Sequence, residues 1–388
     1  MILIKNALLV GMKDINYEIR DILVEEATIQ AIGTLDQKDY PDATVIDAEG
    51  KMLTPGLVDP HCHIGMMEEA IGTEGRDVNE MTNPVYPELR AIDAIKYQDS
   101  AFQDALQAGV TTVVTGPGSA NVIGGVFSVL KTHGKTLDDM ILKEESCMKM
   151  ALGENPKRVY GAKNQAPTTR MASAALIREN LIKARDYKAK KEAYLASEDK
   201  DKKTFEMNMK MESLMRVFDG FPVKIHAHQQ DDILTAMRIV KEFNLHATIE
   251  HATEGHLIAD YLAKHQQAVI LGPTLGSKSK YELRNKTFDA AKILSDHGVL
   301  FAIMTDHPVI EAQYALTQLG LFVRHGLPEL EALRAVTYYA AKVNEIDDRV
   351  GSIEVGKDAD MVLWSDHPLH YLSRPLWVMV NGTIAFKQ

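Results

Sequence analysis

The sequence predicts a mixed α/β protein, a (β/α)8 barrel carrying a small composite β-sandwich built from both chain ends. Three observations lead there. Eight short apolar runs recur through the middle of the 388-residue chain, helical periodicity separates many of them, and both ends are rich in strand formers punctuated by turns.

In chain order, residues 3–10, 21–24, 28–32 and 44–47 are short β-forming runs divided by turn residues. Barrel strands, all parallel, are expected at 53–59, 110–115, 127–131, 147–152, 223–226, 247–251, 268–271 and 299–305, with helices such as 99–107, 231–243 and 288–296 between them. Residues 177–218 are rich in Lys, Glu, Ala and Met, with charge densest at 197–203, and read as a helical excursion with a solvated face. Runs 360–364 and 376–380 are strands by composition, and Asn381-Gly382 is a hairpin turn before 383–386. Pairing of the two ends gives a sandwich domain of 1–52 plus 350–388, with a barrel domain of 53–349 inserted.

Composition narrows the function classes. Hydrophobic residues at 45% and charged residues at 25% suit a large buried core rather than a disordered chain. A net charge of −11 disfavours nucleic acid and anionic membrane as partners, leaving a small-molecule substrate and, at most, further copies of the chain as a homo-oligomer. Cys62 and Cys147 are the two cysteines, too few for a disulfide framework, and Lys5 and Asn6 interrupt the first apolar stretch. A cytoplasmic protein is expected. The uncharged run 105–130 carries five glycines and Pro117, so it reads as buried strands and a glycine loop. That loop lacks the Lys-Ser or Lys-Thr ending of a phosphate loop and is assigned to shaping the pocket.

The chemistry concentrates at strand ends. His61 and His63 close the first predicted barrel strand, and residues i and i+2 of an extended segment share a face, so both can grip one ion. His226, His251 and Asp306 fall at the ends of the fifth, sixth and eighth strands. Unrelated core histidines have no reason to share one end of a barrel, so the set reads as a metal site. Imidazole-rich ligation favours zinc, with iron or manganese also fitting.

The run Leu53-Thr-Pro-Gly-Leu-Val-Asp-Pro-His61-Cys-His63 resembles the first-strand signature of the amidohydrolase superfamily, and Lys224-Ile-His226-Ala-His228 resembles the fifth-strand motif of imidazolonepropionases and related dipeptidases. Ile249-Glu-His251, Thr305-Asp306 and the closing run from Gly351 to Asp360-Met-Val-Leu are similar to further superfamily segments. The resemblance spans nearly the whole chain. It implies a metal-dependent hydrolase with one or two divalent ions on His61, His63, His226, His251 and Asp306. It also offers two candidates for a bridging ligand. Strand alternation turns Lys149 into the barrel, where a carbamylated lysine would bridge two ions, whereas Glu154 at the strand end would do so unmodified. Both stay open.

A divalent ion with one position left for water lowers that water's pKa from about 15.7 toward about 7, which makes hydroxide available to attack an amide, lactam or dipeptide C–N bond. Asp306 is placed to take the water's proton and pass it to the leaving nitrogen, and His251 stands with it as catalytic. His228, Gln229, Arg158 and Arg170 are candidate substrate residues. Lys157, Lys278, Lys280 and Arg284 also lie in loops after predicted strands and suit an anionic substrate group. The alternatives are deamination of an aminated heterocycle by the same hydroxide, or a scaffold of this fold without metal.

Overall fold

The computed structural model describes residues 1–198 and 204–388. The N-terminal strands are β1 (Ile2–Val10), β2 (Asn16–Glu25), β3 (Thr28–Gly33), β4 (Thr44–Asp47) and β5 (Met52–Pro55). The middle of the chain supplies β6 (Leu57–Cys62), β7 (Val110–Thr115), β8 (Ile123–Lys131), β9 (Ile141–Ala151), β10 (Val223–Ala227), β11 (Ala247–His251), β12 (Val269–Leu271) and β13 (Phe301–Ile303). The chain closes with β14 (Met361–Trp364), β15 (Pro375–Val380) and β16 (Thr383–Lys387).

The two chain ends share one sheet, ordered β16-β15-β14-β5-β1-β2-β3 with β4 beside β1. Leu9, Ile22, Leu53, Met361, Trp377 and Met379 meet in one buried cluster, so strands distant in sequence cover each other's apolar faces. A buried ion cluster ties this unit to the barrel. Lys131 Nζ, at the end of β8, lies 2.8 Å from Asp358 and 2.5 Å from Asp360.

The second sheet runs β6 to β13 in sequence order, a nearly closed eight-stranded barrel. β-Branched residues fill its walls: Val-Thr-Thr-Val-Val-Thr of β7 is buried throughout. The helix Ser100–Gln107 starts where Asp99 accepts from the Ala101 amide and buries Ala101, Phe102, Ala105 and Leu106 on one face. Where β13 returns to β6, the Thr305 hydroxyl donates to Asp59, and the Asp306 amide donates to the His61 carbonyl at 3.2 Å.

One expectation needs correction. The third barrel strand is not parallel: β8 runs antiparallel to both β7 and β9. Seven residues join β7 to β8, and a parallel return needs a crossover of a dozen or more. The excursion after the fourth strand also begins earlier than the charge pattern indicates, with a helix over Arg170–Ala196 and a second over Met209–Met215. Most of the densely charged stretch expected at 197–203 lies outside the described residues.

Candidate functional site

His61 lies in β6 and His63 just beyond it, His226 in β10, and His251 at the end of β11. Asp306 follows β13. All of them converge at one end of the barrel. The backbone at His251, Ala252 and Asp306 is left-handed, with φ of 68°, 43° and 55°. Such non-glycine conformations are uncommon and concentrate at functional sites.

Two triplets result, sharing His251. His226, His228 and His251 form one, and His61, His251 and Asp306 the other, each with one nitrogen or oxygen per residue within 4.8 Å of the others. Ring centroids of His226 and His251 lie 4.2 Å apart, and those of His228 and His251 4.4 Å apart. Asp306 Oδ1 stands 3.2 Å from Nε2 of both His61 and His63. Backbone carbonyls and a hydroxyl orient the rings: His63 Nδ1 meets Gly116 O at 2.7 Å, His251 Nδ1 meets Gly272 O at 2.8 Å, and His228 Nδ1 meets Thr253 Oγ1 at 2.8 Å. Each such contact leaves Nε2 facing the cluster, the arrangement in which an imidazole can bind a cation.

Burial keeps His226, His228 and His251 neutral. It pushes His226 and His228 well below the ordinary imidazole range, with neighbouring His251 adding to the effect, and brings His251 down to about 3. Burial alone would raise the Asp306 carboxyl, but the close contacts of His61 and His63 outweigh it and hold the group well below the carboxylate range. Neutral imidazoles beside an ionised carboxylate are the protonation states of metal ligands. Both ring nitrogens of His226, and Nε2 of His228, are buried without a hydrogen-bond partner among the described residues. Buried polar atoms seldom stay unsatisfied, so the donor set fits a divalent cation.

Deeper in the barrel, Glu250 joins three basic groups. It forms an ion pair with Lys149, approaches His61 Nδ1 at 2.6 Å and lies 3.4 Å from Lys224 Nζ. Lys149 therefore points into the barrel, 5.4 Å from the Phe127 ring centre. Glu154 goes elsewhere. It opens the helix Glu154–Gly161, its amide donates to Glu282 at 2.6 Å, and it lines a different cavity with Lys157, Arg170 and Gln229.

The cluster forms the floor of a cavity of about 600 Å³. His63, His226, His228, His251 and Asp306 face it, and its walls include Asn79, Ser119, Asn155, Lys280 and Lys286. Of the substrate candidates, His228 is in this cavity. Gln229 and Arg170 line the neighbouring one, Arg170 lies 3.6 Å from Asp232, and Arg158 is exposed on its helix. His307 accepts from the Ala312 amide at 3.3 Å. Sequence reasoning missed Glu250, Asn79 and Lys286. Glu250 carried a signal, because two inward lysines, Lys149 and Lys224, require a counter-charge.

Residues 52–385 match the model of the amidohydrolase family. The chain is 29% identical to the amidohydrolase tasK of Hapsidospora irregularis across 94% of its own length, but spans 40% of that longer protein. It is 25% identical to the imidazolonepropionase of Bacillus cytotoxicus, covering 94% of this chain and 88% of that one. An amidohydrolase structure from Thermotoga maritima superposes over the full length of both chains with a TM-score of 0.95 and 41% identity. A β-aspartyl dipeptidase from Fervidobacterium islandicum, 17% identical over 99% of this chain and 96% of its own, shares the fold with a TM-score of 0.61.

Proposed function

This chain belongs to the amidohydrolase family, and from that premise we propose that it is a metal-dependent hydrolase cleaving the C–N bond of a small amide, lactam or dipeptide. The observation carrying this reading is the convergence of four imidazoles and Asp306 on the floor of one cavity, with ring nitrogens that no group among the described residues satisfies.

His61, His63, His226, His251 and Asp306 would hold the metal, with His228 close enough to join them. One or two divalent ions, zinc foremost, would polarise the scissile carbonyl and lower the pKa of water there. Lys149 is the better placed of the two bridging candidates, because it enters the barrel while Glu154 lines another cavity. Addition of carbon dioxide to its neutral amine would give a carbamate and release one proton.

In hydrolysis, the water oxygen bonds to the acyl carbon and the C–N bond breaks. Asp306, ionised and half-buried at the floor, accepts the water's proton at a carboxylate oxygen and returns it to the leaving nitrogen. His228, held through Nδ1 by Thr253, keeps Nε2 facing the cavity to orient the substrate.

The test combines elemental analysis of the purified protein with a screen of N-acyl amino acids, dipeptides and cyclic amides. One to two metal equivalents and amine release support the reading. Metal-free protein that hydrolyses these amides, or ammonia release confined to aminated heterocycles, overturns it.

A further inference from the structure

Beyond the metal ligands, the cavity is charged on one side. Asp306 is the acidic residue that lines it, and Lys280 and Lys286 are the basic ones. Both lysines belong to the loop between β12 and the helix Asp289–Asp296, and Ser277 and Ser279 of that loop face the same space. In a chain of net charge −11, two ammonium groups turned into an internal cavity stand out against the acidic whole.

Each lysine is held in place. Lys286 Nζ donates to the carbonyls of Gly276 at 3.0 Å and Ser277 at 3.1 Å, and the structure gives it no carboxylate partner among the described residues. Lys280 Nζ lies 3.3 Å from Glu282 Oε2 and 3.4 Å from Asn155 Oδ1, and Asn155 in turn donates to Ser119 Oγ at 2.8 Å. Lys280, Asn155 and Ser119 thus form a polar string along the wall, from the loop after β12 to the turn between β7 and β8. Lys280 and Lys286 line the same cavity of about 600 Å³ as His226, His228 and His251, so a group bound at this wall shares one small-molecule-sized space with the cluster. Lys278 differs: it donates to the Arg284 carbonyl at 2.7 Å and does not line the cavity.

We infer that Lys280 and Lys286 form a subsite for a substrate carboxylate, so that the amide taken by this site bears a free acid group close to its scissile bond. This rests on the amide-hydrolase reading and adds the substrate class to it. A lysine is a compact point charge that neutralises an anion without demanding the planar geometry of an arginine fork, and among the described residues no arginine lines this cavity. Asn155 and Ser119 add neutral hydrogen bonds for the remaining carboxylate lone pairs.

Binding tests this independently of turnover. The probes are the N-phenylsulfonyl derivatives of glycine, leucine and proline, each as free acid and as carboxamide, titrated calorimetrically into the metal-loaded full-length protein. Their sulfonamide resists amide hydrolysis. At least one acid should bind about 10- to 100-fold more tightly than its carboxamide, the range of one or two charge-assisted contacts. Lys280→Met and Lys286→Met should each reduce that ratio several-fold, and the double variant should bring it near one. Lys278→Met should keep it, and Lys286→Arg, which retains charge and donors, should largely restore it. The subsite is overturned if no acid is preferred over its carboxamide, if Lys278→Met removes the preference equally, or if the cavity variants weaken acid and carboxamide alike. A preserved preference in a protein that hydrolyses no amide would count against the hydrolase reading and leave the subsite standing.

Discussion

His61 Nδ1 lies 2.6 Å from Glu250 Oε1, and both side chains are sealed from solvent. Glu250 thereby couples the floor of the site to the ionic interior beneath it, since Lys149 and Lys224 approach the same carboxylate. Burial alone would raise this carboxyl, yet His61 and the two lysines outweigh it and hold it well below the carboxylate range.

Glu250→Gln should therefore destabilise the barrel strongly. In the protein stripped of metal, with Lys149 as its free amine, the change keeps the shape but leaves Lys149 and Lys224 buried without their counter-ion, and breaking a buried pair typically costs about 3 to 5 kcal/mol. Urea unfolding followed by circular dichroism should show the midpoint falling. An unchanged midpoint would mean that the lysines are neutralised by something else.

Acid stability should depend on Glu354. Its carboxylate lies 2.9 Å from Lys13 Nζ and 2.8 Å from Lys357 Nζ, and accepts from Ser352 Oγ at 2.6 Å. Burial opposes ionisation, but these hydrogen bonds win and bring the group from 4.5 down to about 2. A carboxyl depressed on folding contributes stability that is complete above its unfolded pKa, near 4.5, and is lost as pH falls toward 2. Glu354→Gln should flatten the decline of Tm on the acid side, less so in high salt because the group is partly exposed. Equal slopes in variant and parent between pH 5 and 3.5 would refute this.

Much of the scaffold was legible because strand chemistry is local. The β-branched run 110–115 and the run 247–251 coincide with β7 and β11. Strand direction is not a property of a run's own composition, and the seven residues joining β7 to β8 make β8 antiparallel whatever its apolar pattern. At the site, alternation was enough to send Lys149 inward, but it could not say where Glu154 would go after the strand ended. That was decided by a left-handed turn at Gly153, φ 80°, and by Glu282 from a distant loop. Arg158 and Arg170 are near the fourth strand in sequence, but Arg158 is exposed on its helix and Arg170 lines the neighbouring cavity instead.

Metal retention should require the first-strand pair. Replacing His61 and His63 together by Ala removes two of the ligand candidates around Asp306. Elemental analysis after dialysis should show loss of at least one equivalent, while far-ultraviolet circular dichroism shows a folded protein. Full occupancy in the double variant would dissociate these histidines from the ion.

Asp306 should matter far more to turnover than to folding or metal retention. Its carboxylate reaches the cavity floor just past β13, where both His61 and His63 meet the same oxygen at 3.2 Å, and the remaining imidazoles offer a triplet of their own in His226, His228 and His251. Asp306→Asn preserves the shape and one oxygen but removes the basic site that accepts a proton from water. General-base groups typically contribute about a hundred- to ten-thousand-fold, so kcat should fall by that much with the amide substrate found by screening. Metal content and thermal midpoint should stay near those of the parent. Because Asn has no titratable oxygen, no change of assay pH should rescue the variant, whereas a variant that had merely lost a structural contact would show reduced metal content as well. Near-parental turnover in a folded, metal-loaded Asp306→Asn protein would move the proton shuttle to another group facing the cavity, His228 first.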